Sequence, residues 1–186
     1  LSIISFCFSQ SIEWDLTMGA SSDYYSLYSN KGTHIQQTVD GGYIIIGYIE
    51  SPENNLDVWL IKIGDSGNEE WSKTFGAIDQ NDYGYSVQQT EDDGYIITGR
   101  TQSFGNGDND VWLIKTDSQG QEEWNKTFGG HSSDIGYSVQ QTTDGGYIIT
   151  GWSSGDNGGY VLLFKTDSLG NEEWNQIFGG SEDDGG

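Results

Sequence analysis

The stretch DVWLIKTDSQGQEEWNKTFGG (110–130) decides the fold, because the chain repeats it. It returns as DVWLIKIGDSGNEEWSKTFGA (57–77) and YVLLFKTDSLGNEEWNQIFGG (160–180), and its second half returns as IEWDLTMGA (12–20). A second unit alternates with it, as GTHIQQTVDGGYIIIG (32–47), GYSVQQTEDDGYIITG (84–99) and GYSVQQTTDGGYIITG (136–151). Gly47, Gly99 and Gly151 recur at an interval of 52 residues. This period is too long for ankyrin or leucine-rich repeats and suits a unit of four strands.

Each repeat resolves into four short strands. YSVQQT (137–142) is predicted as the first, with Tyr137, Val139 and Gln141 on one face, and TDGG (143–146) forms a hairpin turn after it. YIITGW (147–152) and DVWLIK (110–115) are nearly continuous apolar runs, as expected for strands covered on both faces. EEWNKTF (122–128) suits a partly exposed outer strand.

These signals predict an all-β protein, namely a β-propeller of four-stranded antiparallel blades. A sandwich shares the local pattern, but repetition places every unit in the same surroundings, as a propeller does. The partial propeller occupies 12–186, with a leading outer strand (12–20), blade one (32–77), blade two (84–130), blade three (136–180) and the start of another blade (181–186). About three blades and one leading strand indicate a fragment of a larger ring. We expect Gly47, Gly99 and Gly151 to let a neighbouring blade approach closely.

Charge and composition narrow the class of function. Twenty-nine acidic against seven basic residues give a formal charge of −22, so we expect no binding to nucleic acid, whose phosphates this surface would repel. The apolar run at 1–11 is too short to span a bilayer and reads as the remnant of a signal peptide, with a buried first strand as the alternative. This predicts a secreted or cell-surface protein without membrane insertion. Cys7 is the only cysteine, which excludes an internal disulfide.

The repeats resemble the tandem propeller repeats of secreted bacterial and archaeal proteins, which carry GYSVQQTxDGGYIITG and DVWLIKTDxxGxxxWxxTFGG. The resemblance covers nearly everything from Ile12 onward. The chain is more distantly similar to quinoprotein-dehydrogenase-like propellers, in which a Trp four residues after a Gly ties the blades together. The spacing recurs here as Gly67–Trp71, Gly120–Trp124 and Gly170–Trp174, although the preceding Thr–Gly pair of that family is absent. The resemblance implies a secreted propeller of seven or eight blades, and it implies no reaction.

The acidic loops are the candidate ligand-binding positions. They include Asp82, Asp108, Asp110, Asp134 and Asp156. Their oxygen atoms are the ligands that Ca²⁺ prefers, but Asp and Asn are also ordinary turn formers, and no segment fits an EF-hand loop. We therefore predict no cofactor and no assigned metal site, with Ca²⁺ as the one cation these loops could bind.

Other polar residues suit structural roles better than catalytic ones. His34 and His131 have no His or Cys companion at metal-ligand spacing, and no Ser/His/Asp arrangement can be assembled. The pairs Glu69–Glu70, Glu122–Glu123 and Glu172–Glu173 resemble catalytic carboxylates, but adjacent strand residues point to opposite faces. A solvated outer face is the simpler interpretation, so no catalytic residue is predicted.

Two function hypotheses follow. The first is a binding module for a protein or glycan, because the repeats carry no distinctive catalytic residue. The second is the N-terminal part of an exported propeller enzyme, a hydrolase, lyase or quinone-type dehydrogenase, whose active residues lie outside this fragment. A structural spacer is a weaker third reading. Further partners are the remaining blades of the same chain or a second copy. The loops 48–57, 101–109 and 152–159 and the linkers 77–83 and 130–135 differ between repeats, so a ligand is expected there.

Overall fold

A computed structural model describes residues 30–52, 55–155 and 158–179. Twelve strands in these ranges form three four-stranded antiparallel sheets, each with its strands in chain order. Sheet one contains β1 (Lys31–Gln37), β2 (Tyr43–Glu50), β3 (Leu56–Ile63) and β4 (Glu69–Phe75). Sheet two contains β5 (Asp82–Gln89), β6 (Tyr95–Thr101), β7 (Asp110–Thr116) and β8 (Glu122–Phe128). Sheet three contains β9 (Asp134–Gln141), β10 (Tyr147–Gly155), β11 (Gly158–Thr166) and β12 (Glu172–Phe178).

The all-β class predicted from the repeats is confirmed, because every regular element within the described ranges is a strand. These ranges contain no helix that is long and apolar enough to cross a membrane. The predicted leading strand at 12–20, the signal remnant at 1–11 and the next repeat at 181–186 lie outside the described residues.

The first strand of each sheet begins earlier than the sequence predicts. In sheet three it runs from Asp134 to Gln141 instead of over 137–142, and its pairing with β10 skips Tyr137. Tyr137 is therefore the extra residue of a β-bulge, and Tyr85 and Thr33 are skipped at the matching points of β5 and β1. A bulge leaves its extra residue unpaired and bends the strand. The strict alternation predicted for this strand is interrupted for that reason.

The bulge also explains the glycines that recur in the second strands. The nearest obstacle to a side chain at these glycines lies within their own sheet, and close approach by a neighbouring unit stays a prediction. A Cβ added to Gly151 would lie 1.9 Å from the carbonyl oxygen of Ile135, and Gly47 and Gly99 face the same contact with their own first strands. The sheets also approach each other closely at Gly84, where a Cβ would lie 2.5 Å from a side-chain carbon of sheet one and 3.0 Å from the Gly47 carbonyl oxygen.

Two apolar cores hold the sheets together. The first joins sheet one to sheet two, through Ile44, Ile46, Val58 and Leu60 on one side and Val87, Tyr95, Ile97, Trp112 and Ile114 on the other. The second joins sheet two to sheet three, through Ile96, Val111 and Leu113 on one side and Val139, Tyr147, Ile149 and Phe164 on the other. All seven residues of β7 are buried, so the predicted coverage of this strand on both faces is confirmed.

The repeated tryptophan of each fourth strand packs on the following sheet. The Trp71 and Tyr95 rings lie 5.8 Å apart between centroids, and Trp124 and Tyr147 repeat this contact at 5.9 Å. Trp174 is 41% exposed, since the described residues include no fourth sheet for it to pack on. Trp71 and Trp124 therefore make the same contact with the following sheet, and Trp174 has no such partner among the described residues.

Glutamine side chains join the first strands of neighbouring sheets. The Gln36 Oε1 accepts a hydrogen bond from the Gln89 backbone N–H at 2.7 Å, and Gln88 accepts from Gln141 at 2.6 Å. In the reverse direction, Gln89 Oε1 accepts from the backbone N–H of Val39 at 2.9 Å. The two glutamines of the QQT segment in sheet two, Gln88 and Gln89, thus point to opposite neighbours, and the adjacent first strands are connected without direct strand pairing.

Candidate functional site

A cleft of about 360 Å³ opens between sheets two and three. Its apolar part consists of Phe128 from β8, Leu162 and Phe164 from β11, and Ile177 from β12. Its polar part comes from the linker between the sheets, the first residue of β9, the end of β10, and β12. It includes His131, Ser132, Asp134, Ser153, Ser154, Glu172 and Asn175. A volume of this size falls within the range of small-ligand pockets.

Two aromatic groups of sheet two have no aromatic equivalent in sheet three, although Phe164 takes the place of Ile114. At the interface between sheets one and two, Trp112 is 2% exposed and its ring lies 5.2 Å from that of Phe104. Leu162 takes the place of Trp112 in the third repeat, and a smaller side chain leaves space in front of β11. Phe104 belongs to the 102–109 loop, whereas β10 and β11 continue to Gly155 and Gly158 as a paired ribbon with no such loop.

The ribbon also changes the expected loop 152–159. Ser153 pairs with Tyr160 and Ser154 with Gly159, so most of this segment is strand and only 156–157 lie outside the described residues. Ser154 Oγ accepts a hydrogen bond from the Ser133 N–H at 2.8 Å, which fixes the ribbon to the linker. One wall of the cleft is therefore regular secondary structure.

The polar groups of the cleft have defined partners. Asp134 accepts a hydrogen bond from the Gly130 N–H at 3.0 Å, and Glu172 accepts one from the Asn175 side chain. The Asp110 carboxylate lies beside that of Asp134, because a Cβ on Gly129 would be within 2.7 Å of an oxygen of each. Burial raises the pKa of Asp110 above its ordinary value, and the negative charge of Asp134 raises it further.

The structure separates the five aspartates proposed as loop ligands. Asp82, Asp110 and Asp134 each begin a strand and are at most 5% exposed, so they lie in the sheets instead of at loop tips. Asp108 is exposed in the loop before β7, and Asp156 lies outside the described residues. Only Asp134 lines the cleft. No three His, Cys, Asp or Glu side chains among the described residues are grouped closely enough to hold a metal ion.

Among the described residues, only the second glutamate of each Glu–Glu pair takes part in a salt bridge. The second glutamate of each pair forms a salt bridge with a lysine of the neighbouring third strand, and an aspartate of the first hairpin turn binds the same lysine. The lysine lies 2.9 Å from Asp40 and 3.3 Å from Glu70 in the first set, Asp40–Lys62–Glu70. The others are Asp92–Lys115–Glu123 and Asp144–Lys165–Glu173. The interpretation as a solvated face missed this. A lysine in an otherwise buried strand was the available signal, because a buried charge requires partners.

The histidines lie apart from each other. His34 Nδ1 accepts a hydrogen bond from the Val87 N–H at 3.3 Å, and Ser86 accepts the equivalent bond from Val139 at 3.4 Å. His34 thus joins two sheets in the manner of the serine that replaces it in the second repeat. His131 is an exposed linker residue at the cleft.

Comparison with known proteins adds no relative to these observations. No family model matches the chain, and no curated protein matches it.

Proposed function

We propose that the chain forms part of a β-propeller, with each sheet as one blade, and that it acts as a secreted or cell-surface binding module. The support for the propeller is that the interface between sheets one and two uses the same positions as the interface between sheets two and three. The tryptophan contact, the glutamine bonds and the apolar core all recur from one interface to the next. Propellers repeat one interface from blade to blade in this way.

The observation that carries the binding function is the replacement of Trp112 by Leu162. The third repeat also has Phe164 in place of Ile114, and a cleft of about 360 Å³ opens beside Leu162, whereas Trp112 is 2% exposed at the preceding interface. A lost core side chain is costly in a close-packed protein, and an open apolar surface rimmed by polar groups is typical of a ligand site. The ligand is a glycan or a protein segment, and the cleft accommodates one sugar ring or one large side chain of it.

The combination of walls suits recognition of a partly apolar group. Phe128, Leu162 and Ile177 supply apolar contact area, while serine and asparagine side chains offer hydrogen bonds at the rim. The formal charge of −22 attracts a basic ligand and repels an acidic one, so a neutral or basic ligand suits this position.

The test is to fill the cleft. In sheet two, the Trp112 indole N–H donates to Asn125 Oδ1 at 3.3 Å, and Asn175 is the equivalent acceptor in sheet three. Leu162→Trp should therefore fold and close the cleft. The control is Val161→Trp on the opposite face of the same strand, where the side chain is already 53% exposed.

Wild type and both variants are compared on a glycan array and a peptide array. We expect ligands that bind wild type and Val161→Trp but lose at least tenfold in affinity for Leu162→Trp. Equal binding by the folded Leu162→Trp variant, or no ligand for wild type on either array, would overturn the proposal.

A further inference from the structure

Four tyrosines form a continuous row across the three sheets. Tyr48 of β2 meets Tyr83 of β5 edge to face at 4.9 Å between ring centroids, and Tyr83 stacks with Tyr85 at 6.3 Å. Tyr85 meets Tyr137 of β9 at 5.8 Å. Tyr137 at the end of the row is 52% exposed. None of these rings lines the cleft between sheets two and three, so the row is a separate surface.

The β-bulges create this row. Tyr85 and Tyr137 are the residues that the ladders β5–β6 and β9–β10 skip. A bulge re-aims its extra side chain and is frequent beside functional sites. The first repeat has Thr33 at the same point, where the hydroxyl group donates to the Gly84 carbonyl at 2.7 Å. The bulge is thus common to all three sheets, while an aromatic side chain at this point is particular to sheets two and three, half-buried at Tyr85 and exposed at Tyr137.

Arg100 lies within the row and is the only arginine of the chain. Its guanidinium carbon is 4.2 Å from the centre of the Tyr83 ring. It forms no salt bridge with any described residue, and its Nε is buried without a hydrogen-bond partner there. By contrast, Lys62, Lys115 and Lys165 each bind two carboxylates. An arginine without a carboxylate partner is unexpected in a chain with 29 acidic residues.

The repeats diverge at this residue. The segment that ends at the repeated glycine of the second strand is nearly constant. The residue after that glycine differs in each repeat, as Tyr48, Arg100 and Trp152. Lys31, an exposed residue, is the partner of Tyr48 in the ladder β1–β2, so a second cation lies at this end of the sheets. The row therefore combines aromatic faces with positive charge on a strongly acidic protein.

We propose that Arg100 and the tyrosine row bind a hexuronate residue of an acidic saccharide. A guanidinium group presents parallel N–H donors that match the two oxygens of a carboxylate, which a neutral sugar lacks. The adjacent tyrosine rings offer apolar faces for the sugar ring and hydroxyl groups for its hydroxyls. The formal charge of −22 repels long polyanions, so the ligand is a single uronate or a short oligosaccharide.

The experiment compares glucuronate with glucose, each as the same methyl glycoside, by calorimetric titration of the full chain. We expect measurable binding of the glucuronide and at least tenfold weaker binding of the glucoside. Arg100→Gln should lose about tenfold or more in affinity for the glucuronide, because the charge-assisted hydrogen bonds are removed. Arg100→Lys keeps the positive charge but lacks the paired N–H donors of the guanidinium group, so it should also bind the glucuronide more weakly than wild type.

Lys126→Gln removes one surface cation of β8 outside the row and is the charge control, expected to bind as wild type. Tyr137→Ala tests the exposed ring, and thermal melts confirm that each variant is folded. Leu162→Trp should leave glucuronide binding unchanged, which distinguishes this site from the cleft. Equal binding of the two glycosides, wild-type affinity in a folded Arg100→Gln variant, or no binding of the glucuronide would overturn the proposal.

Discussion

The Trp71 ring of sheet one lies directly against the backbone of Gly120 in sheet two. A Cβ added to Gly120 would fall 2.6 Å from Trp71 Cζ3, and Gly170 has the same relation to Trp124 at 2.7 Å. Gly120 also has a φ of +71°, a conformation that side chains with a Cβ rarely adopt. The glycine that precedes each tryptophan by four residues therefore packs against the tryptophan of the preceding repeat. This contact links successive repeats.

Gly120→Ala should destabilise the fold more than an alanine at an open turn. The left-handed backbone alone costs about 1 kcal/mol, and the clash with Trp71 should add about 1–3 kcal/mol of overpacking. Gly145→Ala is the matched control, because its φ is +83° and a Cβ there would meet nothing within 4 Å. The difference between the two variants in the free energy of unfolding, measured in urea, gives the cost of the clash with Trp71. Equal free energies of unfolding would contradict this account of the contact.

Gln88→Ala should weaken the connection between the first strands of sheets two and three. The change removes the acceptor of the Gln141 N–H, and losing one such hydrogen bond costs about 1 kcal/mol. Gln140 holds the same place in sheet three, is exposed and accepts no hydrogen bond from a described residue. Gln140→Ala should therefore change the free energy of unfolding by only a few tenths of a kcal/mol, as surface substitutions usually do. A larger effect at Gln140 than at Gln88 would refute the claim that the glutamine hydrogen bonds between first strands contribute to stability.

Acid should remove stability that the first hairpin turn supplies. The Thr38 hydroxyl, Lys62 and the Gly42 N–H lower the pKa of Asp40 from 3.8 to about 2. The unfolded chain therefore takes up this proton first, and the contribution present above pH 3.8 is lost as the pH falls through about 2. Asp40→Asn should cost under about 1 kcal/mol at neutral pH, since solvent screens the exposed pair. In a plot of melting temperature against pH, Asp40→Asn should also lose less stability in acid than Asp65→Asn, an exposed substitution in the next turn.

The strands were predictable because their signals are local. The boundaries of EEWNKTF (122–128) are those of β8, and the buried run at 110–115 is extended by one residue in β7. The first strands were less predictable, because a bulge depends on pairing with a second strand and leaves no periodic signal. Asp134 looked like a loop residue for that reason, although it begins β9 and is buried.

The candidate sites were only partly predictable. The unlike segments at 130–135 and 152–159 both border the cleft, and the expectation that a ligand binds there stays a prediction. The exchange of Trp112 for Leu162 was visible in the repeats, but its consequence depends on packing between sheets. The position of Arg100 over Tyr83 could not be read from spacing either, because it requires the geometry of paired strands.

Asp110→Asn should stabilise the protein at neutral pH. The folded state holds Asp110 beside Asp134, and its pKa is raised by burial first and by that neighbouring charge second. As the pH rises above the ordinary value of 3.8, the unfolded chain loses this proton before the folded chain does. Stability therefore falls with rising pH across this window, until the folded carboxyl is also ionised.

The asparagine removes that penalty and adds a bond. Its Oδ1 can still accept the Asn106 N–H, which Asp110 accepts at 2.8 Å, and its Nδ2 can donate to the Asp134 carboxylate. A gain of about 1 kcal/mol at pH 7 is expected from replacing repulsion with one hydrogen bond. Urea unfolding from pH 3.5 to 8 should show the gain growing with pH and vanishing in acid. Asp108→Asn in the exposed loop is the control. A gain that does not depend on pH, or one shared by Asp108→Asn, would show that the buried pair is not its source.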